Sequence, residues 1–202
     1  MEGGCGLSSR DQVKRGNHGD GERDMGKPVG GLDPFERGWG FGGVMVLWDS
    51  RVVEKVDVEL GMFSASCLFK NVEDGFRWVF SGVYGPVINR HRGELWDELS
   101  AVAFGWGDPS CLGGGGGVGD FNVVRFPDGR MGCNSVSRDM RNFSDFINNL
   151  ELVDPPHSGS RFTWFGAQEN RCLSRIDRFL FSIAWEEHFS NVAQSADPSS
   201  RK

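Results

Sequence analysis

Apolar residues are scattered at the start of the chain and become periodic further on. Leu7, Val13, Val29, Leu32 and Phe35 stand alone among Gly, Asp, Arg and Lys, with neither a helical nor a strand period. Such a segment buries too little apolar surface to offset the entropy lost on ordering. Residues 1–41 are therefore expected to be a disordered Gly-rich segment, outside the domain that follows.

From residue 42 the pattern changes. GGVMVLWDS (42–50) is a short apolar run between Gly and Asp-Ser, the mark of a buried strand. Val56, Val58 and Leu60 alternate with Asp57 and Glu59, which predicts a strand with one wet face. MFSASCLF (62–69) and RWVFSGVY (77–84) follow, separated by the turn residues NVEDG (71–75). A helix fits 90–104, with Leu95, Trp96, Leu99, Val102 and Ala103 on one face and Gly105 and Gly107 ending it. A further strand falls within 110–124, interrupted by five glycines at 113–117 that read as a flexible insertion. Residues 138–150 give the clearest helix: Met140, Phe143, Phe146, Ile147 and Leu150 form a stripe behind Ser137 as N-cap. Pro155 and Pro156 stop it; RFTWF (161–165) and SRIDRFLFS (174–182) read as strands, and a short helix holds Trp185, Glu186 and His188. The small polar residues 193–202 are expected to be a disordered tail. Many local hairpins with at least two helices predict an α/β or α+β layered fold with mainly antiparallel pairing.

Composition narrows the function classes. The 202 residues carry a net charge of −6. This argues against grip on nucleic acid through a broad basic surface, where Lys and Arg displace counterions. A phosphodiester enzyme is not excluded, because a cation held by carboxylates supplies positive charge locally. The five cysteines are scattered, with no CxxC and no zinc spacing, so reduced thiols, no disulfide partner and an intracellular location in nucleus or cytoplasm are expected. No apolar stretch is long enough to span a membrane, and residues 1–20 lack the apolar run of a secretory signal.

Three segments place polar groups at strand ends: Val83-Tyr84-Gly85-Pro86, Gly119-Asp120-Phe121-Asn122 and Ser174-Arg175-Ile176-Asp177-Arg178. On an extended chain Asp120 and Asn122 point to one side and Phe121 into a core. A carboxylate and a carboxamide so placed can hold a water and donate to a phosphate oxygen. Arg175 and Asp177 are expected to share one side by the same alternation. Taken singly, GDFN also reads as a turn, SRIDR as a surface ion pair and Tyr84 as a packed aromatic.

In this order, VYGP, GDFN, FTW (Phe162-Thr163-Trp164) and SRIDRFL resemble the endonuclease/exonuclease/phosphatase superfamily. GGVMVLWDS, NVEDGF, LWDEL, GDFNVVRFP, FSDFIN and SRIDRFL resemble, within it, the endonuclease domain of plant LINE-type (non-LTR) retrotransposons. The resemblance covers residues 42–192. It implies a layered β-sandwich with flanking helices, Mg²⁺ as cofactor and DNA as partner. It also implies that Asp120 activates or orients the attacking water, and makes it the one candidate metal ligand. Asn122 would position water and phosphate, Tyr84 would contact the phosphate, and Asp177 would orient a catalytic histidine.

The chain departs from that pattern at both ends. The family's first strand with its Asn, and its metal-binding Glu, have no match in residues 1–41; Glu2, Glu22 and Glu36 stand in other contexts. The family's closing Ser-Asp-His is replaced by Ala196-Asp197-Pro198, and His18, His91, His157 and His188 read as loop or surface histidines. The expected fold is therefore incomplete, lacking N- and C-terminal strands. Loss of one charge-stabilising or proton-transfer group typically costs about 10²–10⁴-fold in rate. The expected function is a truncated, degenerate DNA endonuclease domain with little or no activity. The alternatives are an active phosphodiesterase or phosphatase of the same superfamily, or a non-catalytic nucleic-acid-binding module.

Overall fold

The computed structural model describes residues 36–41, 44–113, 120–158, 161–166, 172–190, 192 and 194–195, with 36–41 as backbone only. Ten segments pair into sheets around α1 (Arg92–Trp106), α2 (Arg138–Asn149) and α3 (Ile183–His188), besides a separate hairpin. That hairpin is β1 (Glu36–Phe41) with β2 (Val44–Asp49). The main sheet has six strands: β3 (Val53–Leu60), β4 (Ser64–Asn71), β5 (Arg77–Val83), β6 (Ser110–Leu112), β7 (Leu152–Val153) and β11 (Leu180–Ser182). Their spatial order is β3-β4-β5-β6-β11-β7. All pairs are antiparallel except β5 with β6, which α1 connects as a crossover. Two small ladders complete the fold: β9 (Trp164–Phe165) with β10 (Leu173–Ser174), and β8 (His157–Ser158) with β12 (Gln194–Ser195).

The period-2 pattern explains why this sheet has a layer on each face. Along β4, Ala65, Cys67 and Phe69 join a cluster with Val44, Val46 and Trp48 of β2. Leu68, on the opposite side, packs with Val79 and Val102 of α1. The same alternation runs through β11, where Leu180 meets the helices and Phe181 meets Trp185 of α3. The β1–β2 hairpin thus covers one face and α1 and α2 the other, which is the layered α/β sandwich expected from the sequence. The hairpin comes so close that a Cβ at Gly82 would lie 2.6 Å from a methyl of Val44.

Helix α2 begins where expected, with the Ser137 hydroxyl accepting from the Met140 amide at 3.2 Å. Its Phe143 is fully buried, stacked on Trp96 of α1 at 5.0 Å between ring centroids. Burying such an aromatic side chain is worth about 1.5–3 kcal/mol. Helix α1 runs through Gly105 and ends at Gly107, whose φ of 65° makes it the C-cap.

Several expectations need correction. Glu36–Phe41, assigned by composition to the disordered segment, pair in register with β2 over six residues. Backbone hydrogen bonds with an apolar partner supply what the local sequence lacks. Residues 1–35 lie outside the described residues. In β3 the wet and dry sides do not simply alternate: a register shift between Lys55 and Asp57 leaves Val56 and Leu60 exposed. Among the described residues the strand expected within 110–124 covers Ser110–Leu112, and RFTWF and SRIDRFLFS are strand in part. In the tail, Gln194–Ser195 form β12; residues 196–202 lie outside the described residues. Of the glycine run, Gly113 has φ of 114°, and a Cβ there would collide with the Arg178 carbonyl oxygen. That glycine is required by close approach, whereas 114–119 lie outside the described residues.

Candidate active site

Three segments distant in sequence meet where strand β5 ends. Tyr84 forms a parallel bridge with Asp120, and Asp120 an antiparallel bridge with Asp177. The Gly85 amide donates to the Asp120 carbonyl at 2.5 Å, and the Phe121 amide to the Ile176 carbonyl at 3.1 Å. Gly85 has no room for a side chain, since a Cβ would lie 2.5 Å from the Phe121 carbonyl oxygen. The alternation expected of GDFN holds at its centre: Phe121 is fully buried and stacks on Trp96 at 6.3 Å.

Asn122 completes the junction. It sits at φ of 51°, a left-handed conformation that Asn tolerates better than most residues. Its amide N–H donates to Asp120 Oδ1 at 2.7 Å, so the carboxylate caps the turn. Its side-chain Nδ2 donates to the Gly85 carbonyl at 2.7 Å. One of the two amide hydrogens is thereby used to hold the VYGP loop against GDFN. Asn122 is 9% exposed, whereas Tyr84 is 41% exposed at the same junction. Asp177 is positioned through its backbone: Thr163 Oγ1 accepts from the amides of Ile176 and Asp177, both at 3.1 Å.

The sequence did not single out Arg92 or Thr163 as site residues. Arg92 is buried at the start of α1; its guanidinium donates to the Asn122 carbonyl and pairs with Asp139 of α2. One side chain thus ties both helices to the GDFN loop. The available signal was a cation one turn before Leu95 and Trp96 on an apolar face. Thr163 lies at the centre of FTW, one of the four segments that carry the family resemblance.

The electrostatics are those of a crowded acidic site. Burial pushes the Asp120 carboxyl up to about 6, the Asn122 amide opposes this, the charge of Asp177 adds to it, and Arg92 opposes it. Arg92 itself is lowered by burial, while Asp139 raises it. Among the described residues no three His, Cys, Asp or Glu side chains group as a metal cluster. His91 contacts Glu94 and Arg90, and His188 stacks on Phe76 at 3.6 Å and pairs with Asp74. His18, Glu2 and Glu22 lie outside the described residues, as do the side chains of His157 and Glu36. Four cysteines are free thiols, and Cys5 lies outside the described residues. Arg175 reaches Asp154 and the Pro155 carbonyl, and residues 175 and 176 lie outside the regular strand.

No protein-family model matches the chain, and no curated protein does. Solved structures do. An endonuclease/exonuclease/phosphatase family protein from Bacteroides thetaiotaomicron is similar at 17% identity and TM-score 0.52, over 74% of this chain and 62% of that one. The endonuclease domain of TRAS1, a telomere-specific non-LTR retrotransposon, is similar at 13% identity and TM-score 0.53, over 77% of this chain and 70% of that one. The chain therefore spans a little under two thirds of the first of these structures. At these identities the likeness concerns architecture, and the architecture of this chain is that of the endonuclease/exonuclease/phosphatase fold.

Proposed function

We propose that this chain carries part of a phosphodiester-hydrolysing site, derived from the DNA endonuclease domain of a plant LINE-type retrotransposon, and that it cuts DNA weakly or not at all. The observation that supports this most is the bridged trio of Tyr84, Asp120 and Asp177, with Asn122 locked beside it. An exposed phenol from one segment, with a carboxylate of raised pKa and a carboxamide from another, forms a hydrolytic constellation.

Magnesium fits the donor chemistry. Two neighbouring carboxylates repel each other, and Mg²⁺ is commonly held by one or two carboxylates with water and substrate phosphate supplying the rest. Asp120 would hold the ion, which when bound polarises a phosphate oxygen. The protein's own groups do the remainder. Asp120 would also orient the attacking water by accepting a hydrogen bond from it. Tyr84 offers a hydroxyl donor to a phosphate oxygen. Asn122 keeps the two loops in register. Among the described residues no third His, Cys, Asp or Glu joins Asp120 and Asp177 as a metal cluster, and a catalytic group of that kind is typically worth about 10²–10⁴-fold in rate.

The test is incubation of the purified protein with Mg²⁺ and supercoiled plasmid DNA. No nicking above that of an Asp120→Ala variant is expected. Efficient nicking that disappears in Asp120→Ala would overturn the claim of low activity and favour an active phosphodiesterase.

A further inference from the structure

A second group of charges lines a cavity that shares no residue with the Tyr84–Asp120–Asp177 junction. Arg125, Asp128, Asp154, Arg161, Arg175 and Arg178 line this cavity of about 390 Å³, walled also by Phe126, Pro155 and Pro156. Three guanidiniums converge on Asp154: Arg178 at 2.7 Å, Arg125 at 3.2 Å and Arg175 at 3.4 Å. Arg161 stands at the mouth, 64% exposed, with its Nε donating to the Asp128 carbonyl. Four arginines against two aspartates leave an excess of positive charge in a chain whose net charge is −6.

One carboxylate cannot satisfy three guanidiniums, each of which carries five N–H donors. Among the described residues the Nε–H groups of Arg125, Arg175 and Arg178 are buried without a hydrogen-bond partner. The Arg178 side chain is only 3% exposed, and its pKa is lowered by burial and by the charges of Arg175 and Arg125, while Asp154 raises it. Buried, unpaired donors are costly, and a purely structural ion pair would not gather so many. Planar guanidinium forks are matched to tetrahedral oxyanions. The cavity lies within the range of small-ligand sites and exceeds what a single water needs.

We propose that this cavity is a phosphate-binding pocket, in which Arg125, Arg175 and Arg178 hold the oxyanion from below and Arg161 closes on it from the rim. Asp154 aligns the three inner guanidiniums in its absence. The phosphate comes either from a small phosphorylated ligand or from the backbone of a nucleic-acid strand, and the chemistry of the pocket is the same for both. The pocket requires no catalysis at Asp120.

Thermal unfolding of the full chain, measured against inorganic phosphate at constant ionic strength, tests this. A saturable rise in Tm of a few degrees is expected, since a ligand that binds only the folded state stabilises it by mass action. Arg175→Gln and the rim variant Arg161→Gln should each weaken the apparent phosphate affinity by at least about tenfold, as expected for loss of a charge-assisted contact. No saturable response in the unsubstituted chain, or the same response in Arg161→Gln as in the unsubstituted chain, would overturn the proposal. Because Arg161 is exposed, that second variant keeps the test decisive if Arg175→Gln does not fold. A nucleoside monophosphate and an oligonucleotide lacking terminal phosphates then separate the sources: stabilisation by the first alone identifies a small phosphorylated ligand, and stabilisation by the second identifies a strand backbone.

Discussion

Asp120 and Asp177 face each other across an antiparallel bridge, and the charge of Asp177 adds to burial in raising the Asp120 carboxyl to about 6. The pair concentrates negative charge where a partly enclosed loop can least disperse it. A site built this way sacrifices stability at neutral pH.

That sacrifice can be measured. The folded-state pKa of Asp120 is raised above its ordinary value of 3.8, so the proton is held more tightly in the folded chain. The resulting stabilisation is complete below about pH 4 and is lost as pH rises through about 6. Above that window the ionised group is a net cost. Asp120→Asn, which keeps an oxygen to accept from the Asn122 amide, should therefore raise stability by about 1–3 kcal/mol at pH 7.5. The gain should vanish near pH 4. Urea unfolding in EDTA at both pH values is the measurement, and an equal effect at both would contradict the assignment.

Arg92 connects α1, Asp139 of α2 and the Asn122 carbonyl. Removing one partner of a buried pair leaves the other charge uncompensated. Arg92→Ala should destabilise the fold by about 3–5 kcal/mol, more than Arg77→Ala, whose side chain is half exposed in its pairing with Asp108, a surface pair worth about 0–1 kcal/mol. Denaturant midpoints of the two variants give the comparison.

Gly85 is the point where the VYGP and GDFN segments touch. A methyl group there would meet the Phe121 backbone, which cannot swing aside as a side chain can. Gly85→Ala should cost about 1–3 kcal/mol. It should also alter the environment of Tyr84 beside it, the chain's single tyrosine, so tyrosine fluorescence with Trp contributions subtracted reports the displacement.

Burial raises the Cys67 thiol to about 11 and the Cys111 thiol well above its usual value. Neither should react with a thiol reagent at pH 8 in the native chain. Both should label once the chain is unfolded, which mass spectrometry of labelled peptides resolves. Native-state labelling of Cys67 would mean that the hairpin layer above β4 opens readily.

Elements that depend on neighbours in sequence are legible from the residues alone. The α2 stripe and its Ser137 cap, the α1 apolar face, and the runs that form β2, β4 and β5 all follow from local period and end signals. The motif order places Tyr84, Asp120, Asn122 and Asp177 at strand ends, and the backbone bridges bring three of them together. Strand β1 is not legible, because Glu36–Phe41 owes its conformation to pairing with β2. The exposure of Val56 and Leu60 is not legible either, because a bulge shifts the alternation that a regular strand would keep.

Local periodicity is therefore enough to set the helices, most main strands and which of their faces are apolar, since these arise from the 3.6- and 2-residue periods of a single chain. It took tertiary folding to bring Arg92 to Asn122, Arg175 to Asp154, and Asp120 against a second carboxylate. Those relationships join segments far apart along the chain, and they exist only after strand pairing has set which loop ends share a face. Burial at that shared face then shifts the Asp120 carboxyl, a property no local pattern encodes.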